Sequence, residues 1–83
     1  MKTIRIRYFA SVREALGGGE TVHTDAGTLA GLRDELIARG GAHATALARG
    51  KAVRMARDQV MSREDAELAD GAEIAFFPPV TGG

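Results

Sequence analysis

Apolar and polar residues alternate through Thr3 to Phe9, setting Ile4, Ile6 and Tyr8 on one face and Arg5, Arg7 and Phe9 on the other. That period of two predicts a strand with one face buried. "ETVHTD", residues 20 to 25, repeats the pattern, with Thr21 and His23 opposing Val22 and Thr24. Ala72 to Phe77 shows it again, Ile74 and Phe76 against Ala75 and Phe77, after an Asp70-Gly71 turn pair and before Pro78. A proline has no N–H for a ladder, so it ends the strand.

Helical spacing takes over between Leu29 and Arg39, where Leu29, Leu32, Leu36 and Ile37 form one stripe, Thr28 is the N-cap and Gly40-Gly41 the stop. In "SVRE", Ser11 and Glu14 have capping-box spacing for a shorter helix from Val12 to Leu16, ended by Gly17 to Gly19. His43 to Arg49 adds a short turn, and Ala52 to Met55 and Val60-Met61 are short strands around a polar Arg57-Asp58-Gln59 turn. The order of elements predicts an α+β domain: a mixed sheet covered on one face by one main helix plus short helices, an order that a β-grasp arrangement fits. Residues 1–77 form the globular domain and 78–83 an extended tail.

Composition narrows the function. A chain of 83 residues supports one modest core, and 45% hydrophobic against 27% charged residues is an ordinary globular balance. Eleven basic residues match eleven acidic ones, leaving no surplus to neutralise phosphates, so nucleic acid is not expected as a partner. Without cysteine there are no disulfides, thiolate metal sites or side-chain thiol nucleophiles. No run approaches the roughly 20 apolar residues of a membrane span, and the opening residues lack a signal-peptide pattern. A complete, cytoplasmic protein with no membrane partner is the expectation.

Familiar catalytic signatures fail one by one. "ARGK", residues 48 to 51, lacks the upstream glycine and following Ser or Thr of a phosphate-binding loop, and Gly17 to Gly19 precede a strand. His23 and His43 stand twenty residues apart without a ligand partner at helical spacing, and Glu64, Asp65 and Glu67 make a solvated acidic stretch. No metal or bound cofactor is expected on this chain.

The tail is different. Pro78-Pro79 favours extended geometry, and residues 78 to 83 could reach on the order of 20 Å. Val80 and Thr81 continue the arm, and Gly82 and Gly83 give it a tip narrow enough to thread a tight channel. The group there is the α-carboxylate of Gly83, inert until its oxygen is made a leaving group. Adenylation by ATP does that, and sulfide then leaves a thiocarboxylate, an anionic sulfur nucleophile held on a protein. An inert, frayed end is the plain alternative.

"DGAEIAFFPPVTGG", residues 70 to 83, resembles the carboxyl end of the small, sulfur-carrying subunit of molybdopterin synthase, and "YFASVRE", residues 8 to 14, resembles that family's first strand and following helix. The resemblance spans the chain, departing at Arg57-Asp58 where the family commonly has a Val-Asn-like pair. It implies a ubiquitin-like β-grasp fold and a carrier that is no enzyme on its own. It further implies a ubiquitin-activating-like adenylyltransferase using ATP and Mg²⁺, a sulfur-transfer protein, and insertion of the tail into the large synthase subunit. There the sulfur passes to cyclic pyranopterin monophosphate, two carriers serving each dithiolene within a heterotetramer.

Strand alternation adds a surface. Phe9 and Phe77 fall opposite the face the helix covers. Where their strands are neighbours, as in a β-grasp sheet, two aromatics stand side by side in water, the mark of a partner interface, with one of them tucked under a loop as the alternative. The resemblance favours the interface and adds Met61 as a candidate third member. Carriers for thiamin thiazole or tRNA thiolation share the Gly-Gly ending but not usually the Phe-Phe-Pro-Pro run. A ubiquitin-like modifier is a further alternative, for which the two lysines, Lys2 and Lys51, leave few self-acceptor sites. An interaction module with an inert tail is the last.

Overall fold

The computed structural model describes residues 1–79. Strand β1 (Lys2–Tyr8) buries Ile4, Ile6 and Tyr8, with Arg5 and Arg7 exposed between them. It pairs antiparallel with β2 (Gly19–Thr24), Ile4 opposite Val22 and Arg7 opposite Gly19. Only glycine fits there, because a Cβ on Gly19 would stand 2.4 Å from the Ile6 carbonyl oxygen.

Between these strands runs α1 (Ala10–Leu16), ended by Gly17 at φ +93°. The capping-box reading of Ser11 is corrected here. Ser11 lies inside α1, whose N-cap is Phe9 with no side-chain cap bond. Phe9 N–H donates to the Phe76 carbonyl at 3.1 Å, so the sheet ladder fixes where the helix can begin.

The main helix, α2 (Leu29–Ile37), starts as expected: Thr28 Oγ1 accepts from Gly31 N–H at 3.1 Å, filling one of the orphan donors of the first turn. It ends two residues before Arg39, and Gly40, at φ +74°, leads into α3 (Gly41–Ala46). Leu29, Leu32 and Leu36 are buried in the core with Leu47, Leu68, Ile74 and Phe76. Burying each such side chain stabilises the fold by about 1.5–3 kcal/mol before ordering entropy is counted.

Strands β3 (Arg54–Arg57), β4 (Val60–Ser62) and β5 (Glu73–Phe77) complete a five-stranded sheet in the order β2-β1-β5-β3-β4. β1 and β5 are parallel and the other pairs antiparallel, so the sheet is mixed, and the α+β β-grasp architecture stands. The β3 boundaries are also corrected. Arg57 belongs to the strand, and the hairpin turn is Asp58-Gln59 alone, both at positive φ (49° and 71°) as a tight two-residue turn requires.

Candidate functional interface

The alternation of β1, β3 and β5 sends one set of side chains under the helices and leaves the other open. Ile6, Tyr8, Met55, Ile74 and Phe76 point to the core. On the open face, register aligns Arg7, Ala75, Ala56 and Met61 in one row across four strands. The next row holds Phe77 opposite Arg54, with Phe9 just beyond the β1–β5 pairing.

Phe9 is 39% and Met61 55% exposed, while Phe77 is half-buried. The Arg7 guanidinium lies 5.5 Å from the Phe9 ring centroid, within cation–π range. The three apolar residues read from the sequence therefore share one face. Ala75 and Ala56 form a low floor along the row that ends at Met61, and Val60, on the edge strand, is 66% exposed.

At the end of β5, Pro78 and Pro79 are half-buried. They line a groove of about 530 Å³ with Val12 and Ala15 of α1, Ala46 of α3, and Lys51 and Val53 of the following loop. The base of the arm and the two helices thus form walls of one groove. The expectations for Val80, Thr81, Gly82 and Gly83 fall outside the described residues.

The loop bordering that groove is organised by a residue the sequence reading passed over. Arg33 is 3% exposed, and its guanidinium donates to the carbonyls of Leu47 (2.8 Å), Ala48 (2.8 Å) and Lys51 (3.1 Å), with Glu64 3.5 Å away. Glu64, read as part of a solvated stretch, also pairs with Arg49, which binds Asp34 at 2.7 Å. These pairs join the loop to α2 and to the segment before β5.

His43 is likewise engaged, its Nε2 lying 3.1 Å from Glu20 Oε2. Glu20 also accepts from Tyr8 and Arg39, and Tyr8 meets His43 edge-on at 6.4 Å. Desolvation raises the Glu20 pKa, but the hydrogen bonds from Arg39, His43 and Tyr8 outweigh it and hold the carboxyl below its ordinary range. The Tyr8 hydroxyl is pushed up, first by burial and then by its bond to Glu20. His23 is exposed on β2, where its Nδ1 lies 3.2 Å from Thr3 Oγ1. Among the described residues, no group of three His, Cys, Asp or Glu side chains is arranged to hold a metal ion, and no helix is long and apolar enough to cross a membrane.

Among the described residues, no nucleophile, base and orienting group are arranged around one cleft. The candidate interface is an open sheet face, exposing Phe9 and Met61, next to Pro78 and Pro79 at the end of β5. Residues 6–83 match the ThiS family. The chain is 43% identical to the "molybdopterin synthase sulfur carrier subunit" of Escherichia coli over 81 residues, covering 96% of this chain and 99% of that protein. The crystal structure of SAMP1 from Haloferax volcanii superposes with a TM-score of 0.74 at 26% identity, over 98% of this chain and 99% of that one. The protein–protein complex of subunits 1 and 2 of the molybdopterin-converting factor from Helicobacter pylori contains a chain of the same fold, with a TM-score of 0.67 at 23% identity, over 98% and 99% of the two chains.

Proposed function

Because the chain belongs to the ThiS family, we propose that it is the sulfur carrier of a molybdopterin synthase, working as a small subunit beside a large one. The observation that carries this reading is the 43% identity, across nearly the whole length, to a relative bearing that name.

On this reading Gly83 is the reacting residue. Its carboxylate attacks the α-phosphate of ATP on an adenylyltransferase with Mg²⁺, releasing pyrophosphate and leaving an acyl-adenylate. Hydrosulfide supplied by a sulfur-transfer protein adds to the acyl carbon, AMP departs, and a thiocarboxylate remains. Gly82 and Gly83 enter the partner's channel because they bring no side chains, and Pro78, Pro79, Val80 and Thr81 set the reach and direction of the arm. Phe9, Met61 and Phe77 hold the carrier against the large subunit, on which the pterin substrate receives the sulfur. The chain needs no cofactor of its own, since the ATP and Mg²⁺ belong to the activating enzyme. On this reading the carrier meets these partners in the cytoplasm.

Intact-mass measurement after incubation with the cognate activating enzyme, ATP and a sulfide source tests this. Replacement of one oxygen by sulfur at Gly83, absent when Gly82-Gly83 are deleted or a bulky residue is appended, is the expected result. Conjugates of the chain to lysines of other proteins would instead establish a modifier. The pathway is tested separately: the loaded carrier and large subunit convert cyclic pyranopterin monophosphate, whereas a thiamin or tRNA carrier leaves it unchanged.

A further inference from the structure

The open face carries more than its apolar residues. Arg7 and Arg54 flank Phe9, Phe77, Ala75 and Ala56 in the two rows that hold them, and Arg5 stands one row further along β1. All three arginines are exposed. Among the described residues none of the three enters an ion pair.

Every other arginine on a strand or on α2 is used: Arg33 clamps a loop and Arg57 donates to the Glu67 carbonyl at 2.7 Å. The acidic residue among the strand partners of Arg5, Arg7 and Arg54 is Glu73, which stands opposite Arg5, whereas those of Arg7 and Arg54 are Gly19, Ala75 and Phe77 and carry no charge. A chain with eleven basic and eleven acidic residues thus concentrates positive charge on the face that also exposes its large apolar side chains.

We infer that this face docks onto a partner surface of opposite design, an apolar socket rimmed by Asp and Glu carboxylates, and that Arg7 and Arg54 steer the encounter while Phe9, Phe77 and Met61 hold the complex. The identification of that partner as the large subunit rests on the function proposed above. An arginine pays a desolvation penalty at an apolar interface unless a carboxylate meets it, so unpaired arginines beside exposed phenylalanines select an acidic rim over a neutral one. Rim charges of this kind act mainly on the association rate.

The test is stopped-flow association of the full-length carrier with its cognate large subunit as a function of ionic strength. The expected result is an association rate that falls at least about tenfold between low and high salt. R7Q/R54Q starts at the slow rate and loses most of the salt dependence, while its dissociation rate changes less than about threefold. R7K/R54K keeps the charge and therefore the fast, salt-dependent association. A wild-type rate indifferent to salt, or an R7Q/R54Q variant that associates as fast as wild type at low salt, overturns the inference and leaves the carrier function standing. Failure of the wild-type chain to bind the large subunit at all overturns both.

Discussion

Tyr8 and Glu20 lie opposite sides of the β1–β2 pairing, and the Tyr8 hydroxyl donates to Glu20 Oε2 over 2.9 Å. The same carboxylate takes Arg39 at 2.6 Å and His43 at 3.1 Å, so one acidic group joins the β1–β2 pair to the residues after α2 and to α3. This ties the helices beside the groove to the sheet whose other face is open.

That arrangement predicts a pH dependence. The folded-state pKa of Glu20 lies below its ordinary value of 4.5. Its contribution is therefore fully present above the unfolded value and is lost as pH falls through the folded one. Glu20→Gln should cost about 1 kcal/mol at pH 7, a figure already reduced for partial solvent exposure. The gap between wild type and variant should close as the solution is acidified below about pH 4. Urea melts across pH 3 to 7 measure it, and a gap that widens on acidification would contradict this assignment.

Arg33 permits a sharper stability prediction. Arg33→Met keeps most of the apolar stem but leaves the carbonyls of Leu47, Ala48 and Lys51 without their donor. Each buried acceptor so stranded costs about 1–3 kcal/mol, less where water can reach it, so a loss of about 3 kcal/mol overall is expected in a denaturant melt. Amide exchange should quicken in residues 47–53 before it does in β1. Uniform loss of protection would instead place Arg33 in the global core.

These two residues also mark the limits of what was legible in the chain. Local periodicity revealed β1, β2, β5 and α2, because in each a single face is buried and the alternation or stripe survives in the sequence. For the same reason it set Phe9 and Phe77 opposite the buried residues of β1 and β5, where the structure leaves Phe9 exposed and Phe77 half-buried. β3 was blurred because Met55 and Ala56, neighbours on opposite faces, are both buried, which erases the period of two. Ser11 satisfied a local capping rule that the Phe9–Phe76 ladder bond overrode. Glu20 and His43 are 23 positions apart, and Arg33 reaches carbonyls 14 to 18 positions away, separations on which periodicity carries no signal.

Phe76 and Phe77 are adjacent yet should behave oppositely. Phe76 is 0% exposed and packs 6.1 Å from the Tyr8 ring, so Phe76→Ala should cost about 3–5 kcal/mol of folding free energy. Phe77, half-buried on the open face, should lose less stability but weaken binding to the large subunit by about 1–3 kcal/mol. Paired denaturant melts and titration calorimetry decide between them, and a reversed ranking would mean that β5 faces the other way.

Two roles for the prolines, restricting the arm and filling the groove, are separable by one substitution. Restricting the arm before it docks lowers the ordering entropy on entering a partner, so changing Pro78 and Pro79 to glycine should weaken docking by a few tenths to about 1 kcal/mol per proline. From the sequence alone the melting temperature should barely move, because the prolines lie beyond the last strand. Their half-buried position in the groove lined also by Val12, Ala15 and Ala46 changes that expectation. Losing two apolar rings from the groove should lower stability by about 1 kcal/mol, even though no ladder hydrogen bond depends on them. Replacing both with alanine restores part of the packing and part of the backbone restriction, so it should recover stability and docking together but incompletely. A double-glycine chain that melts lower yet docks as tightly as the parent would assign the prolines to packing alone, and the direction of the tail would then have to come from the partner's channel.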